Sequence, residues 1–412
     1  MTVKIIKIVR TENHLRFLLA ITKLYHRYAI IIAMIYLAIL GRQPEISLAE
    51  LKALYKDVKQ ISPVLATFSS SKELNDFSRL GGTLKVAIKL NQKPLDYLAT
   101  LPKGKITIGI SDYSTHASRQ TATSLALKLK KILVRHGRSV RVVANKEAAL
   151  STATSLHNGL SGANERKAEF IKVNSDWYRT VFIQDIESYA ARDQGRPARD
   201  AKVGMLPPKL AQILINLCGL LPKGATILDP FCGTGVILQE SLLMGYHPYG
   251  TDLSDRMVDY SKKNLKWLQK NFTAEHEQTT NLPSDLAEQS VFVGDATTFK
   301  WQTPIDAIAC ECYLGSPMSQ IPSELKLKAQ KQECSDIILS FLKNLATQIT
   351  PKTPVTIAVP AWLRENNEYS RLNIIDEIEK LGYNVNNKTR EGLLYCRKGQ
   401  IVARDILILR KK

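Results

Sequence analysis

The 412-residue chain has no Cys-x-x-Cys pair, and its seven histidines form no cluster at zinc-ligand spacing, so a structural metal is not expected. Its cysteines, Cys218, Cys232, Cys310, Cys312, Cys334 and Cys396, lack the spacing of a small secreted framework and fit a reducing compartment. The apolar run Tyr28–Leu40 has 13 residues, short of the roughly 20 that a membrane-spanning helix needs. A basic stretch, Met1–Arg10, precedes that run, but no small-x-small cleavage site follows it, which argues against a signal peptide. Internal repeats and low-complexity tracts are missing as well. These absences point to a cytoplasmic globular protein of two or three domains with no stable membrane association. In this reading Ile35–Leu40 is a buried strand, residues 1–33 are an unstructured or mis-called extension, and the functional chain starts at or near Met34.

What is present is positive charge, unevenly spread. Residues 1–200 carry 32 Lys/Arg against 16 Asp/Glu, whereas residues 201–412 carry 25 against 22. A basic half beside a nearly neutral one suggests a polyanion-binding module, because Lys and Arg contacts to phosphates release counterions. Excess Lys can also serve only solubility. Ile35–Leu40 ends at Gly41. Ser47-Leu48-Ala49-Glu50 has the form of a capping box and predicts a helix to about Tyr55. A strand at Pro63–Phe68, a helix around Ser71–Phe77 and a strand at Thr83–Leu90 complete a small α/β unit. A second unit starts with a strand at Lys105–Ile110 and a helix over Ser118–His136 whose apolar stripe is Leu125, Leu129, Ile132 and Leu133. Strands at Val140–Val143, Glu169–Val173 and Trp177–Ile186 and a helix over 147–158 follow. Lys128, Lys130, Lys131 and Arg135 crowd the 118–136 helix and are candidate RNA contacts, against the alternative of a solvated face.

Asp185–Asp200 is polar, charged and broken by Gly195 and Pro197, and reads as a linker. Beyond it, strands alternate with helices: Thr226–Asp229, Val236–Met244, Tyr249–Asp252, Asp255–Leu268, Val291–Val293, Ile305–Cys310, Glu324–Ile349 and Val355–Val359. That alternation predicts a mostly parallel sheet covered on both faces, with the final run Asp405–Leu409 closing its edge. In Ile227-Leu228-Asp229-Pro230-Phe231-Cys232-Gly233-Thr234-Gly235 a buried strand ends in an acid, and a Gly-rich turn opens a helix. Ligands of such sheets bind beyond the carboxyl ends of the strands. Without a third glycine one helical turn on, the dinucleotide fingerprint is missing. Asp252 ends the next strand, where a carboxylate can accept both ribose hydroxyls of a nucleoside, and Gly294-Asp295-Ala296 ends a third.

DPFCGTG, TDLSDRMVDYSKKNL and VGDAT together resemble the nucleoside-binding half of class I methyltransferases. More narrowly, the chain is similar to the archaeal and eukaryotic THUMP-domain tRNA guanine-N2 methyltransferases. ILGRQPEISLAELKALY resembles the start of their ferredoxin-like domain, and RDQGRPARDAKVGMLPPKLAQ resembles their entry to the catalytic domain. The resemblance implies an α/β chain: a ferredoxin-like region at 34–69, a THUMP-like RNA-binding domain at 70–186, a linker at 187–202 and a Rossmann-like methyltransferase domain at 203–412. It implies S-adenosyl-L-methionine as cofactor, held by Asp229, Phe231, Gly233, Thr234, Gly235, Asp252, Leu253, Asp295, Ala296 and Pro208. It also implies tRNA as partner and methylation of a guanosine exocyclic amine, in that family often at position 10. A small activating subunit would be compatible with this reading but leaves no mark in the sequence.

One segment departs from the family pattern. Where an Asp/Asn-Pro-Pro-Tyr/Phe tetrad is usual, the chain has Glu311-Cys312-Tyr313-Leu314, followed by Gly315. Glu311 can still accept a hydrogen bond from an amine and Tyr313 can still stack on a base, so both are candidate catalytic residues. Three alternatives remain open at this point. They are an adenine-N6 methyltransferase, a non-catalytic protein that binds the cofactor and RNA, and covalent catalysis through Cys310 or Cys312.

Overall fold

β1 (Met34–Leu40) is apolar throughout because both of its faces are covered. It is followed by α1 (Pro44–Leu54), β2 (Lys56–Ser62), β3 (Leu65–Ser70) and β4 (Thr83–Lys89), and it pairs antiparallel with both β3 and β4. Tyr36, Ala38 and Leu40 enter one core with Leu51, Phe68 and Val86, while Leu37 and Ile39 enter another with Leu65, Ile171 and Tyr178. This alternation is the strand period of two, and it accounts for the described part of the apolar run, Met34–Leu40. Among the described residues no helix is long and apolar enough to cross one. The computed structural model describes residues 34–70, 76–200, 205–272, 283–302, 304–388, 393–397 and 399–412. The extension read at 1–33 and the domain start read at 203 lie outside the described residues.

The N-terminal half continues with α2 (Pro94–Thr100), β5 (Ile106–Asp112), α3 (Arg119–Arg135), β6 (Val140–Val142), α4 (Thr152–His157), β7 (Lys167–Val173) and β8 (Asp176–Ile183). All eight strands form one sheet, in the order β2-β3-β1-β4-β8-β7-β5-β6. The units read as 34–69 and 70–186 therefore share a sheet through the β1–β4 pairing, and the pairing of β4 with β8 joins the strands read up to Leu90 to those read from Lys105 onward. A buried polar row crosses that join. Lys85 on β4 donates to Glu169 on β7 (2.7 Å), to Ser155 Oγ (2.8 Å) and to the Leu150 carbonyl (2.8 Å). Glu169 also accepts from Ser111 on β5 (2.6 Å) and from Thr180 on β8 (3.3 Å). Every proton of the buried ammonium is thus placed, and removal of one partner from such a pair typically costs about 3–5 kcal/mol. β2 and α2 escape the sequence reading. β2 is a polar, exposed edge strand with two lysines, a pattern that guards an edge rather than fills a core. Of the helix read at Ser71–Phe77, residues 71–75 lie outside the described residues, and a single 3-10 turn, Phe77–Arg79, follows.

The C-terminal half comprises α5 (Ile186–Gln194), α6 (Pro208–Leu217), β9 (Thr226–Asp229), α7 (Val236–Leu243), β10 (His247–Asp252), α8 (Asp255–Phe272), α9 (Leu286–Ser290), β11 (Val291–Val293), β12 (Ala307–Glu311), α10 (Glu324–Ala346), β13 (Pro354–Leu363), β14 (Tyr369–Arg371), α11 (Ile375–Lys380), β15 (Tyr383–Val385), β16 (Leu394–Tyr395) and β17 (Val402–Lys411). Its sheet runs β11-β10-β9-β12-β13-β17-β15, with β14 on β13 and β16 on β17. The first five strands are parallel, and β17 is antiparallel to both of its neighbours on that path. The final apolar run does not close the edge. Ile406, Leu407 and Leu409 are fully buried in an interior strand, and the short β15 is the edge.

The segment read as a linker is structured. Asp185 caps α5 by accepting from the Glu187 and Ser188 N–H groups. Arg192 on α5 forms a buried two-point pair with Glu240 on α7 (2.7 and 3.3 Å). Asn264 on α8 holds Ala198 by both N–H and carbonyl (3.0 and 2.9 Å). Arg192 and Ala198 thus bind α7 and α8, and 185–200 is not a solvated tether.

A second correction concerns the capping box. α1 starts at Pro44, behind Gln43, so Ser47 and Glu50 lie inside the helix. Glu50 instead accepts from the Gly81 N–H (2.9 Å), the Gly82 N–H (2.9 Å) and the Asn216 side chain of α6 (2.7 Å). Ser47 donates to the Gly82 carbonyl (2.6 Å). Arg79 donates to Asn216 Oδ1 (3.0 Å) and Tyr246 (3.0 Å), closing the junction. The loop lies so close to α6 that a Cβ on Gly81 would sit 2.2 Å from the Lys209 carbonyl oxygen.

Burial raises the Glu50 carboxyl from its ordinary 4.5 to about 7. A raised acid holds its proton in the folded chain while the unfolded chain has lost it. Stability from this group is therefore full below about pH 4.5 and declines until about pH 7. We expect Glu50→Gln to destabilise the protein most at pH 5. The wild-type advantage should shrink by up to about 3 kcal/mol at pH 8, at about 1.4 kcal/mol per unit. Urea denaturation of both proteins at the two pH values checks this, and an equal difference at both would refute it.

Candidate active site

β9 and β12 are adjacent, and the chain leaves them in opposite directions along the sheet, so a crevice opens at the carboxyl ends of these strands. Asp229 ends β9, buried, with one oxygen accepting from the Phe231 N–H (3.1 Å). The turn that follows reaches α7 through Gly235, its N-cap residue in the left-handed conformation. Gly233 also has positive φ (51°), and a Cβ there would meet nothing nearer than the Phe231 carbonyl oxygen at 4.0 Å. Its backbone is therefore bare toward the crevice, and its N–H donates to Asp252 Oδ2 at the end of β10 (2.9 Å). Asp252 Oδ1 accepts from the Ser254 N–H (3.0 Å). Asn264 also donates to the Thr234 carbonyl (2.8 Å), so one side chain fixes both the turn and the 195–200 segment.

Several of the sequence-predicted residues gather here. Asp229, Phe231, Gly233, Thr234, Gly235 and Asp252 share the turn and the two strand ends around it. Phe231 packs edge-on against Phe341 of α10 (5.1 Å). Leu253 is 74% exposed and Val293, at the end of β11, is 48% exposed, which leaves an apolar surface beside Asp252. Asp295 is exposed and accepts from the Thr297 N–H and hydroxyl (2.9 and 2.7 Å). The Ala296 methyl is buried in the core, so only its backbone can face a ligand. Pro208 opens α6 and is buried. Burial raises the carboxyls of Asp229 and Asp252, and each negative charge near Asp229, from Asp252 and Glu311, adds to that effect. Three acids thus converge on one end of the sheet, a field that favours a cation.

Glu311 ends β12, and its Oε1 is bound by Arg404 Nε of β17. Among the described residues, no hydrogen-bond partner occupies its other oxygen. Tyr313 turns toward α10, where its hydroxyl donates to Glu333 (3.0 Å). Cys310 and Cys312 are both buried with their sulfurs 3.8 Å apart, and burial pushes the Cys310 thiol well above its usual range. A nucleophilic cysteine needs the opposite environment, so the covalent alternative loses its support. Sequence reasoning misses Arg404 and Arg196. Arg196 is 2% exposed, and its Nε and Nη1 have no hydrogen-bond partner among the described residues. Arg404 sits in an apolar strand context that masks it, whereas the Gly-Arg-Pro stretch around Arg196 has the composition of a linker.

The basic face of α3 is only partly as expected. Lys128, Lys131 and Arg135 are exposed on one face, while Lys130 is half-buried on the flank. Lys128 also borders a groove of about 780 Å³ shared with His116 and Lys172.

Residues 196–296 match the family described as RMKL-like, methyltransferase domain. This part of the chain is thus similar to a methyltransferase domain. Among curated proteins, the tRNA (guanine(10)-N2)-dimethyltransferase of Methanothermobacter thermautotrophicus is 49% identical over 63 residues, 15% of this chain and 18% of that protein. The enzyme of the same name from Pyrococcus abyssi is 35% identical over 109 residues, 26% of this chain and 27% of that protein. The matched stretches thus span less than a third of either relative. The crystal structure of TrmN from Thermus thermophilus is 15% identical and aligns over 92% of this chain and 100% of that one, with a TM-score of 0.44.

Five of the six cysteines are buried and Cys396 is half-exposed. Titration of the native protein with a thiol reagent should give one fast-reacting group, absent in Cys396→Ser, with the others reacting only on unfolding. A fast thiol surviving in Cys396→Ser would reopen the question of Cys310 and Cys312.

Proposed function

We propose that the protein is a cytoplasmic, S-adenosyl-L-methionine-dependent tRNA methyltransferase that acts on the exocyclic N2 amine of a guanosine. The observation that carries this reading is a hydrogen-bond-accepting carboxylate, Glu311, set at the strand end beside the Gly-rich turn of a methyltransferase domain. The uneven charge of the chain and the tRNA methylation for which its relatives are named point to tRNA.

The residues present fit the methyl donor. The bare backbone at Gly233 admits a ligand, Asp252 can accept ribose hydroxyls, and Leu253 offers an apolar surface for a flat ring. Asp295 stands at the neighbouring strand end for an adenine amine. The two unpartnered nitrogens of the Arg196 guanidinium suit a carboxylate, and the converging acids suit a positive centre. When bound, S-adenosyl-L-methionine supplies an electrophilic methyl on a sulfonium. The guanine amine is a poor nucleophile because its lone pair is conjugated, so positioning is the protein's main contribution. Glu311 accepts a hydrogen bond from the amine and stabilises the positive charge that grows on it. Tyr313 offers a ring to the base. A base within a duplex has first to be flipped out, and Lys128, Lys131 and Arg135, with Lys130 at their flank, supply the grip on the phosphates.

Transfer from labelled donor to bulk tRNA, followed by nucleoside analysis, tests the reading. We expect N2-methylated guanosine. Methyladenosine would favour the adenine-N6 alternative, and donor binding without transfer would favour a non-catalytic protein. Glu311→Gln should bind donor normally and slow transfer by more than about tenfold, because the carboxylate charge matters mainly in the transition state. Replacement of Lys128, Lys130, Lys131 and Arg135 by Gln should weaken tRNA binding and flatten its salt dependence. The log–log slope falls by about one for each phosphate that is no longer neutralised. An unchanged slope would make these residues a solvated face.

A further inference from the structure

The antiparallel hairpin β16–β17 carries a second set of polar groups at the same end of the sheet as Glu311. Tyr395 and Arg404 are paired directly across it, so their side chains leave on one face. On that face lies a cavity of about 370 Å³ bounded by Met205, Pro207, Tyr395, Arg397, Gln400 and Arg404. Ligand pockets commonly occupy roughly 300–1,000 Å³, so the space suffices for one nucleotide. Its wall is held from several sides. Arg404 is 6% exposed and bound to Glu311. The Gln400 carbonyl accepts from the Tyr369 hydroxyl and the Gln400 side chain accepts from the Arg397 N–H (3.0 Å). Gln43 of the N-terminal half donates to the Cys396 carbonyl (2.7 Å), which ties the hairpin to the basic half.

We infer that this cavity is the acceptor-nucleotide pocket, with Tyr395 as a second stacking surface for the flipped purine, in addition to Tyr313, and Arg397 as the contact for its phosphate. Arg404 is a positioning residue. It occupies Oε1 of Glu311 and so leaves the other carboxylate oxygen, the one without a protein partner among the described residues, to the substrate amine. A half-buried ring and two arginines lining one cavity match the chemistry of one nucleotide, a π-face and a phosphate. The inference rests on the proposed function for the identity of the base, but not for the location of the pocket.

The test compares Tyr395→Ala, Tyr395→Phe, Arg404→Met and Arg404→Lys with wild type. Three readouts are taken on full-length protein: steady-state transfer to tRNA, calorimetric affinity for S-adenosylhomocysteine, and photo-crosslinking of RNA containing 6-thioguanosine. Tyr395→Ala should lower kcat/KM for tRNA at least tenfold with S-adenosylhomocysteine affinity within twofold, and Tyr395→Phe should retain most activity. Arg404→Met should lower kcat more than it raises KM, with partial recovery in Arg404→Lys. Crosslinks should map to the peptide around Tyr395 and disappear in Tyr395→Ala. Unchanged kinetics in Tyr395→Ala, activity that falls in step with the affinity for S-adenosylhomocysteine, or crosslinks confined to other segments would overturn the pocket. Should wild type bind S-adenosylhomocysteine yet methylate no RNA, the proposed function fails, and the crosslinking map alone decides the pocket.

Discussion

The Glu50 carboxyl receives two backbone N–H groups from the loop at Gly81-Gly82 and the amide of Asn216 from α6 of the C-terminal half. A buried carboxyl needs such donors because none of its oxygens can turn to water, so the contact is specific in direction. It fixes α1 against α6, and α6 lies against the catalytic sheet through Leu210, Ile213 and Leu214. The second tether, Arg192 with Glu240, reaches the helix that opens immediately after the Gly-rich turn. Both connections end on elements that shape the crevice. The orientation of the basic half relative to the site is therefore set by buried, directional contacts.

At the site itself the departures from the expected tetrad compensate one another. A glutamate reaches one methylene further than an aspartate and would be free to wander without the prolines that usually stiffen this loop. Arg404 supplies the missing restraint from another strand, and the core under Cys310 and Cys312 is packed with Leu327, Cys334 and Ile338. Rigidity that other sequences obtain from local backbone restriction is obtained here from a long-range ion pair.

The C-terminal sheet is legible in the sequence because β9 and β12 are short apolar runs that end in Asp229 and Glu311, because β10 ends in Asp252 and β11 runs into Gly294, and because the turn at Asp229–Gly235 has few alternative uses. β1 is legible for the same reason. Contacts between remote residues are not. Ser47-x-x-Glu50 has the spacing of a cap, and only the loop at Gly81 reveals that both side chains point elsewhere. Asp185–Asp200 looks like a tether because Arg192 and Asn264 find their partners far away in sequence. Asp405–Leu409 reads as an edge strand when β15, three residues long, leaves almost no signal. The two N-terminal units look separable because the β4–β8 pairing joins strands that are almost a hundred residues apart, and the Lys85–Glu169 pair shows in neither segment alone.

The continuous N-terminal sheet also behaves as a ruler. β1, next to the Glu50 junction, and β5, beneath α3, are four strand spacings apart, about 19 Å at roughly 4.8 Å each. Hydrogen-bond geometry sets that length, and the buried row from Lys85 to Ser111 resists shear along it. Under the proposed function, whatever the outer face of α3 grips is held at a near-constant offset from the crevice. Selection of the site acted upon can then follow from distance along the bound molecule, with little need to read the letters between the two ends.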